Sequence, residues 1–191
     1  ARRREGEWIR TRRPRFNRAG TWPRSARFVR LEATPAGFRI EVTPEPGGDG
    51  EHYGAFRNGA ASAVGALARL LAFAFHRRAE IASLPQPLLA AEGLREFVAE
   101  HADAPDWLPS IRAYFAGDDD SLLGRLVTAV PEPGSSFERA FVARQFEVLL
   151  DFHRRGPLRN RRLHALLPEG RRTITPEEQA AFEVSHAHVR E

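Results

Sequence analysis

The chain has 191 residues, of which 42% are hydrophobic and 28% are charged, and these proportions are typical of a globular domain. It contains no cysteine, which excludes disulfides and thiolate metal sites and favours a cytoplasmic location. No apolar run follows the basic residues 2–4, so we expect no signal peptide. The most apolar stretch, residues 59–75, is too short for a membrane span and contains Arg69.

The net charge of +4 hides blocks of opposite sign, and all 29 basic residues are Arg. Residues 1–30 hold eleven Arg against two Glu, a net +9, and residues 153–172 hold seven Arg against one Glu, a net +6. Residues 31–152 hold ten Arg against eighteen acidic residues, a net −8. An acidic body with two basic segments indicates an anionic partner.

The first 25 residues, which we call the basic arm, show no sustained helical or strand period and are interrupted by Pro14, Gly20 and Pro23. Trp8 and Trp22 lie among the Arg residues. Arg binds phosphate through two hydrogen bonds, and aromatic rings stack on unpaired bases or wedge into a minor groove. The arm is therefore predicted to bind nucleic acid.

Two other partners for the basic arm stay open. The arm could dock on the acidic body of its own chain, or it could bind an acidic protein or a second copy of the chain. An anionic membrane fits less well, because the arm lacks an amphipathic period. We expect no membrane partner.

The clearest strand pattern covers residues 26–43. Val29 and Leu31 alternate with charged residues, as do Ile40 and Val42, and a Thr-Pro-Ala-Gly turn lies between the two runs. This pattern predicts a β-hairpin with one apolar face. The Pro- and Gly-rich residues 45–54 are predicted to form a loop.

From residue 55 the pattern is helical. Asn58 is predicted to cap a buried helix that runs to about Glu80, and further helices are predicted over residues 88–102 and 105–117. The last of these is predicted to bury four large side chains, which are Trp107, Ile111, Tyr114 and Phe115.

Polar residues mark the starts of the remaining helices. The acidic run 118–120 could bind a cation, but acidic residues before an apolar run more often cap a helix, and we favour capping. Ser135 and Glu138 form a capping box for a helix that runs to about Arg155 and is stopped by Gly156-Pro157. Short helical turns are predicted over residues 161–167, and Thr175-Pro176-Glu177-Glu178 predicts the start of a last helix.

These elements predict a mainly α fold, with a helical bundle-like core, an N-terminal β-hairpin and the basic arm. The predicted organisation is the arm over residues 1–25 and a single globular domain over residues 26–191. Within that domain the hairpin occupies residues 26–43, and residues 55–191 are helical.

The C-terminal residues 161–191 contain Leu-Leu-Pro-Glu-Gly, then Thr-Pro-Glu-Glu, then Val-Ser-x-x-x-Val. This order resembles a helix-turn-helix DNA-binding segment. The resemblance implies that Ser185 caps a recognition helix and that His186, His188 and Arg190 point toward the major groove. A single capped helix over residues 176–190 is the alternative interpretation.

Motifs for metal binding and catalysis are weak. Glu183 and His186 have the spacing of the Glu-x-x-His motif of di-iron helical bundles, but no other His has Glu three positions before it. The chain has no Gly-x-Ser-x-Gly motif and no Gly-rich phosphate loop followed by Lys. We therefore predict no metal and no cofactor, and a non-catalytic protein is favoured over an enzyme.

The sequence as a whole predicts a non-catalytic nucleic-acid-binding protein, with DNA favoured over RNA. The alternative is a scaffold protein whose basic arm docks on an acidic protein or mediates self-association into a homo-oligomer. The predicted nucleic-acid contacts are Arg2, Arg3, Arg4, Trp8, Arg10, Arg12, Arg13, Arg15, Arg18, Trp22, Arg24, Arg154, Arg155, Arg159, Arg161, Arg162, Arg171 and Arg172.

Overall fold

A computed structural model describes residues 26–90, 93–165 and 173–175 of the chain. The basic arm, the predicted last helix and most of the segment that resembles a helix-turn-helix lie outside the described residues. The described elements, in chain order, are β1 (Arg27–Thr34), β2 (Gly37–Thr43), β3 (Glu51–Phe56), α1 (Ala60–His76), a 3-10 turn (Ile81–Ser83), α2 (Gln86–Ala90), β4 (Glu96–Glu100), α3 (Ala104–Ala116), α4 (Ser121–Ala129), α5 (Ser136–Arg155) and α6 (Pro157–His164).

The predicted hairpin is confirmed. β1 and β2 pair antiparallel from Phe28 opposite Thr43 to Thr34 opposite Gly37. Their alternating apolar side chains are buried against the helices, whereas Arg30 and Glu41 form an ion pair on the other face of the sheet. The period-two pattern therefore sets which face of the hairpin enters the core.

The predicted fold class is wrong, because the hairpin is the centre of a larger sheet. Four antiparallel strands lie in the order β3-β1-β2-β4, and helices pack on the sheet. The fold is thus a mixture of sheet and helices and not a helical bundle. The predicted loop over residues 45–54 ends earlier than expected, because β3 begins at Glu51 and pairs with β1.

The helix predicted over residues 88–102 is also wrong. That region holds the short helix α2 and then β4, which pairs with β2 from Glu41 opposite Glu96 to Gly37 opposite Glu100. Gly93 precedes the strand, and a Cβ atom there would lie 2.8 Å from the carbonyl carbon of Ala61. The chain therefore passes against the backbone of α1 at a position that only glycine fits.

The long apolar helix is confirmed as the centre of the core. α1 is buried on most of its circumference, although its N-cap residue is Gly59 and not the predicted Asn58. Arg69 is also buried in this helix. Its Nε donates to the carbonyl oxygen of Leu88 at 2.7 Å and its Nη1 donates to Oε1 of Gln145 at 3.0 Å, so it ties α1 to α2 and α5.

The predictions for α3 to α5 are confirmed in their main points. The four large side chains predicted for α3 are buried, and α4 begins directly after the acidic run. The carboxylate of Asp119 accepts hydrogen bonds from the backbone N–H and the hydroxyl of Ser121, which lower the pKa of Asp119. The capping box joins Ser135 and Glu138 at the start of α5, which ends at Arg155.

Short helical turns were predicted over residues 161–167. The structure instead has one regular helix, α6, which begins directly after Gly156. Farther along the chain, Ile174 lies beside β3. Its N–H donates to the carbonyl oxygen of Gly54 at 2.7 Å and its carbonyl oxygen accepts from the N–H of Ala55 at 3.0 Å. This segment runs parallel to β3. Within the described residues, no helix is long and apolar enough to cross a membrane.

Candidate nucleic-acid interface

The structure places only part of the predicted interface. The predicted residues of the basic arm, together with Arg171 and Arg172, lie outside the described residues. The other five predicted residues lie at the end of α5 and along α6. Four of these side chains are exposed and the fifth is half-buried; in chain order they are Arg154, Arg155, Arg159, Arg161 and Arg162, of which Arg159 is half-buried.

Arg161 contacts the C-terminus of α3. Its Nη1 donates to the carbonyl oxygen of Gly117 at 3.1 Å and to that of Asp118 at 2.5 Å, and its Nε lies 3.8 Å from Oδ1 of Asp118. A cation in this position satisfies the last carbonyl groups of a helix and complements its dipole. These contacts give Arg161 a structural role in joining α6 to α3.

Arg155 and Arg159 line a cleft of about 880 Å³ together with Arg57 and Arg144. We call it the basic cleft. Its walls are the end of β3 with the first turn of α1 on one side, and α5 with the start of α6 on the other. The fold therefore gathers Arg residues that are far apart in the sequence.

Close apolar packing positions the walls of the basic cleft. The rings of Phe56 and Phe152 meet edge to face with their centroids 4.9 Å apart. A Cβ atom at Gly156 would lie 3.0 Å from the ring of Phe56, and one at Gly59 would lie 3.4 Å from the ring of Phe152. The absence of side chains at these two glycines brings the start of α1 close to the junction of α5 and α6.

Among the described residues that line the basic cleft, arginines outnumber acidic residues. Its two acidic residues pair with arginines of α5: Nη1 of Arg144 lies 3.2 Å from Glu147, and Nε of Arg155 lies 2.8 Å from Asp151. Four Arg against two acidic residues leave a net +2. Both ion pairs are largely exposed, and such pairs contribute little free energy, so their guanidinium groups can turn toward another anion at small cost.

The first turn of α1 opens into the same cleft, where Asn58, Gly59 and Ser62 contribute to the lining. The N-cap Gly59 has no side chain to cap the helix, and the first turn contains no acidic residue. The amide groups and the dipole at this end of the helix add to the positive potential of the arginines.

A second cleft, of about 420 Å³, lies between β3, α3 and α6. Glu51 lines this cleft. The carboxylate of Glu51 accepts hydrogen bonds from the hydroxyl of Tyr53 at 2.7 Å and from Nε of Arg112 at 2.7 Å. Asn160 is buried between the two clefts and donates to the carbonyl oxygen of Ala55 at 3.0 Å. Its lining holds two Arg, Arg112 and Arg161, against the two acidic residues Glu51 and Asp118, so the formal charges of these residues balance.

His153 lies in the core below the acidic run and is 2% exposed. Its ring stacks on Tyr114 at 4.9 Å, and its Nε2 has no hydrogen-bond partner among the described residues. Burial lowers the pKa of His153, and the negative charges of Asp120 and Asp119 and a hydrogen bond to the Asp119 backbone offset part of this effect. Burial also raises the pKa of Tyr114.

Sequence reasoning missed two arginines of the basic cleft, Arg57 and Arg144. One signal was present, because Arg57 lies three residues before the start of a helix whose first turn has no acidic residue. Arg144 gave no such signal, because it stands among charged residues on the outer face of α5. In the part of the chain that the structure describes, no three His, Asp or Glu side chains come together as a metal-binding group.

Comparisons of the chain with protein-family models, with curated proteins and with solved structures give no significant match.

Proposed function

We propose that this protein binds nucleic acid without catalysing a reaction, and that its two Arg-rich segments contact the phosphates. The observation that carries this proposal is the basic cleft, which Arg155 and Arg159 of the second basic segment line together with Arg57 and Arg144. Arg forms paired hydrogen bonds with phosphate oxygens, and each phosphate that it neutralises releases counterions.

The basic arm supplies the larger share of the charge in this proposal. Its arginines neutralise phosphates along the strand, while Trp8 and Trp22 stack on unpaired bases or wedge between base steps. DNA is favoured over RNA because residues 161–191 resemble a helix-turn-helix segment. Exposed arginines at the end of α5 extend the contact surface beyond the cleft.

Changing Arg12, Arg13 and Arg15 together to Ala tests the role of the arm. We expect DNA affinity to fall by about tenfold or more at low salt, because each charge-assisted contact to phosphate contributes about 1–3 kcal/mol. The measurement is fluorescence anisotropy with labelled duplex and single-stranded oligonucleotides of DNA and RNA. Unchanged affinity in the triple variant would contradict the proposal.

A variant that lacks residues 1–25 separates this function from the scaffold alternative. If the arm binds nucleic acid, the deletion weakens oligonucleotide binding. It does not change the oligomeric state, that is, the number of chains per particle in solution. Loss of an oligomer in light scattering, without any effect on oligonucleotide binding, would support the scaffold protein instead.

A further inference from the structure

Asn58-Gly59 is the only Asn-Gly pair in the chain, and it directly precedes the first residue of α1. The sequence predicts Asn58 as the cap of this helix, but Gly59 is the N-cap residue and no side chain caps the helix. Asn58 is exposed, and among the described residues no hydrogen bond holds its side-chain amide. Its side chain is therefore free to react with the backbone beside it.

We propose that Asn58 is a site of spontaneous deamidation through a succinimide. The backbone nitrogen of Gly59 attacks the side-chain carbonyl carbon of Asn58 and gives up its proton. The new C–N bond closes a ring, and the side-chain nitrogen leaves as ammonia. Water then opens the ring at one of its two carbonyl groups, which leaves either aspartate or isoaspartate at position 58. Water is the one co-reactant, and no electrons are transferred.

The backbone nitrogen of Gly59 is accessible for this attack. Gly59 has no Cβ atom beside its nitrogen, so the side-chain carbonyl of Asn58 can approach without hindrance. In the part of the chain that the structure describes, the N–H of Gly59 donates no hydrogen bond, as is typical of the amide groups at a helix start. Gly59 is also exposed, so water can reach the ring that forms.

The fold requires the glycine of this pair. Gly59 has φ 82°, in the left-handed region that side chains other than glycine rarely adopt. A Cβ atom at this position would also lie 3.4 Å from the ring of Phe152. Because the packing of α1 against α5 selects glycine at position 59, the reactivity of the pair depends on the residue at position 58 alone.

Deamidation places a negative charge at the start of α1. The first turn of this helix contains no acidic residue, so the new carboxylate would be the first to interact with the dipole at this end. Asn58 also lines the basic cleft, whose described lining holds four Arg and two acidic residues. The modification adds a third acidic group there, and because it is irreversible the modified fraction grows with the age of the protein.

Asn160 is the control within the same chain. It is 4% exposed, its Nδ2 donates to the carbonyl oxygen of Ala55 at 3.0 Å, and the residue that follows it is Arg161. The hydrogen bond holds the side-chain amide in place, and the side chain of Arg161 hinders attack by the backbone nitrogen. We expect Asn160 to keep its amide in the folded protein.

Peptide mapping by mass spectrometry tests the site in the full chain, which is incubated folded at mildly alkaline pH. Trypsin releases residues 58–69, in which Asn58 is the only side-chain amide, and a Glu-specific protease releases residues 148–169, in which Asn160 is the only one. A sample taken before incubation corrects for deamidation during digestion. A synthetic peptide of residues 55–62 gives the rate for the same sequence without the fold.

We expect the peptide with Asn58 to gain the mass of an amide-to-acid change and to separate into two products, with isoaspartate the larger, while Asn160 is unchanged. Asn58→Gln should block the reaction, because the longer side chain closes a ring far more slowly. An Asn58 amide that persists in the folded chain after the synthetic peptide has been converted would overturn the inference. Aspartate without isoaspartate would overturn the succinimide route.

Asn58→Asp supplies one of the two products directly and tests the effect of the charge on α1. We expect it to melt at a higher temperature than the neutral variant Asn58→Gln at low salt, and the difference to shrink at high salt, because salt screens the interaction with the helix dipole. A melting temperature of Asn58→Asp at or below that of Asn58→Gln at low salt would overturn the predicted effect on the helix.

Discussion

His153 shows how one buried side chain makes the stability of this fold depend on pH. The imidazole is enclosed between α5, Tyr114 and the acidic run that precedes α4. In the neutral form it needs one hydrogen-bond acceptor, which the Asp119 backbone provides. In the protonated form it would place a second N–H where no acceptor lies among the described residues, and this arrangement costs free energy.

Because burial lowers the pKa of folded His153 below its ordinary value of 6.5, the unfolded chain binds the proton more tightly. Stability is therefore complete above about pH 6.5 and decreases as the pH falls through the folded pKa, by about 1.4 kcal/mol for each pH unit between the two pKa values. We expect urea unfolding at pH 5 to 8 to show this loss in the wild-type protein. His153→Phe should show a smaller loss, and an equal loss in both proteins would contradict this role.

Arg69 and Arg161 show why an arginine in this sequence cannot be assigned to a partner from its charge alone. Arg69 is buried and bonds to Leu88 and Gln145, and burial lowers its pKa. Arg161 bonds to the C-terminus of α3. Both side chains hold elements together, and Arg161 was predicted as a phosphate contact on the basis of its position in a basic segment.

At the scale of single elements, the capping box of α5 is the most direct test of a local sequence signal. Ser135→Ala removes the hydroxyl that accepts from the N–H of Glu138 at 3.1 Å, and we expect the free energy of unfolding to fall by about 1 kcal/mol. Ser136→Ala is the matched control, because Ser136 is the first residue of the helix and is exposed. The control should change stability by less than about 0.5 kcal/mol in denaturant unfolding. Equal losses in the two variants would show that the cap does not stabilise α5.

The elements that were predicted correctly are those whose signals are local. The β1–β2 hairpin follows from alternation across a short turn, and α5 follows from its capping box and its Gly-Pro stop. β3 and β4 depend on partners that are distant in the sequence. Residues 96–100 alternate weakly, and only the pairing with β2 and the passage of Gly93 over α1 make them a strand.

The same distinction applies to the candidate site. Sequence alone located Arg155 and Arg159, because they belong to a dense basic segment. It did not locate Arg57, because the proximity of Arg57 to that segment results from the packing of α1 against α5. It did not locate Arg144 either, which lies on α5 but eleven residues before Arg155 and outside the dense basic segment. A basic cleft built by tertiary contacts leaves no contiguous pattern in the chain.

At the scale of the whole molecule, charge is separated along the chain. Residues 31–152 carry a net −8, whereas the two basic segments carry +9 and +6. In the described part of the second basic segment, four exposed arginines lie at the end of α5 and along α6, where Asp151 and Asp118 pair with two of them. This separation would direct a polyanion toward the basic surface and keep it from the acidic body.

The dependence of affinity on salt tests this account most directly, since each Arg–phosphate contact releases counterions. The measurement is the dissociation constant of the full chain for a DNA oligonucleotide at several salt concentrations. With six or more phosphate contacts, the affinity should fall about a thousandfold or more between about 50 and 200 mM salt, along a straight line on logarithmic axes. Affinity for DNA and RNA that stays constant between about 50 and 300 mM salt would contradict the account, because phosphate contacts by arginine cannot be insensitive to salt.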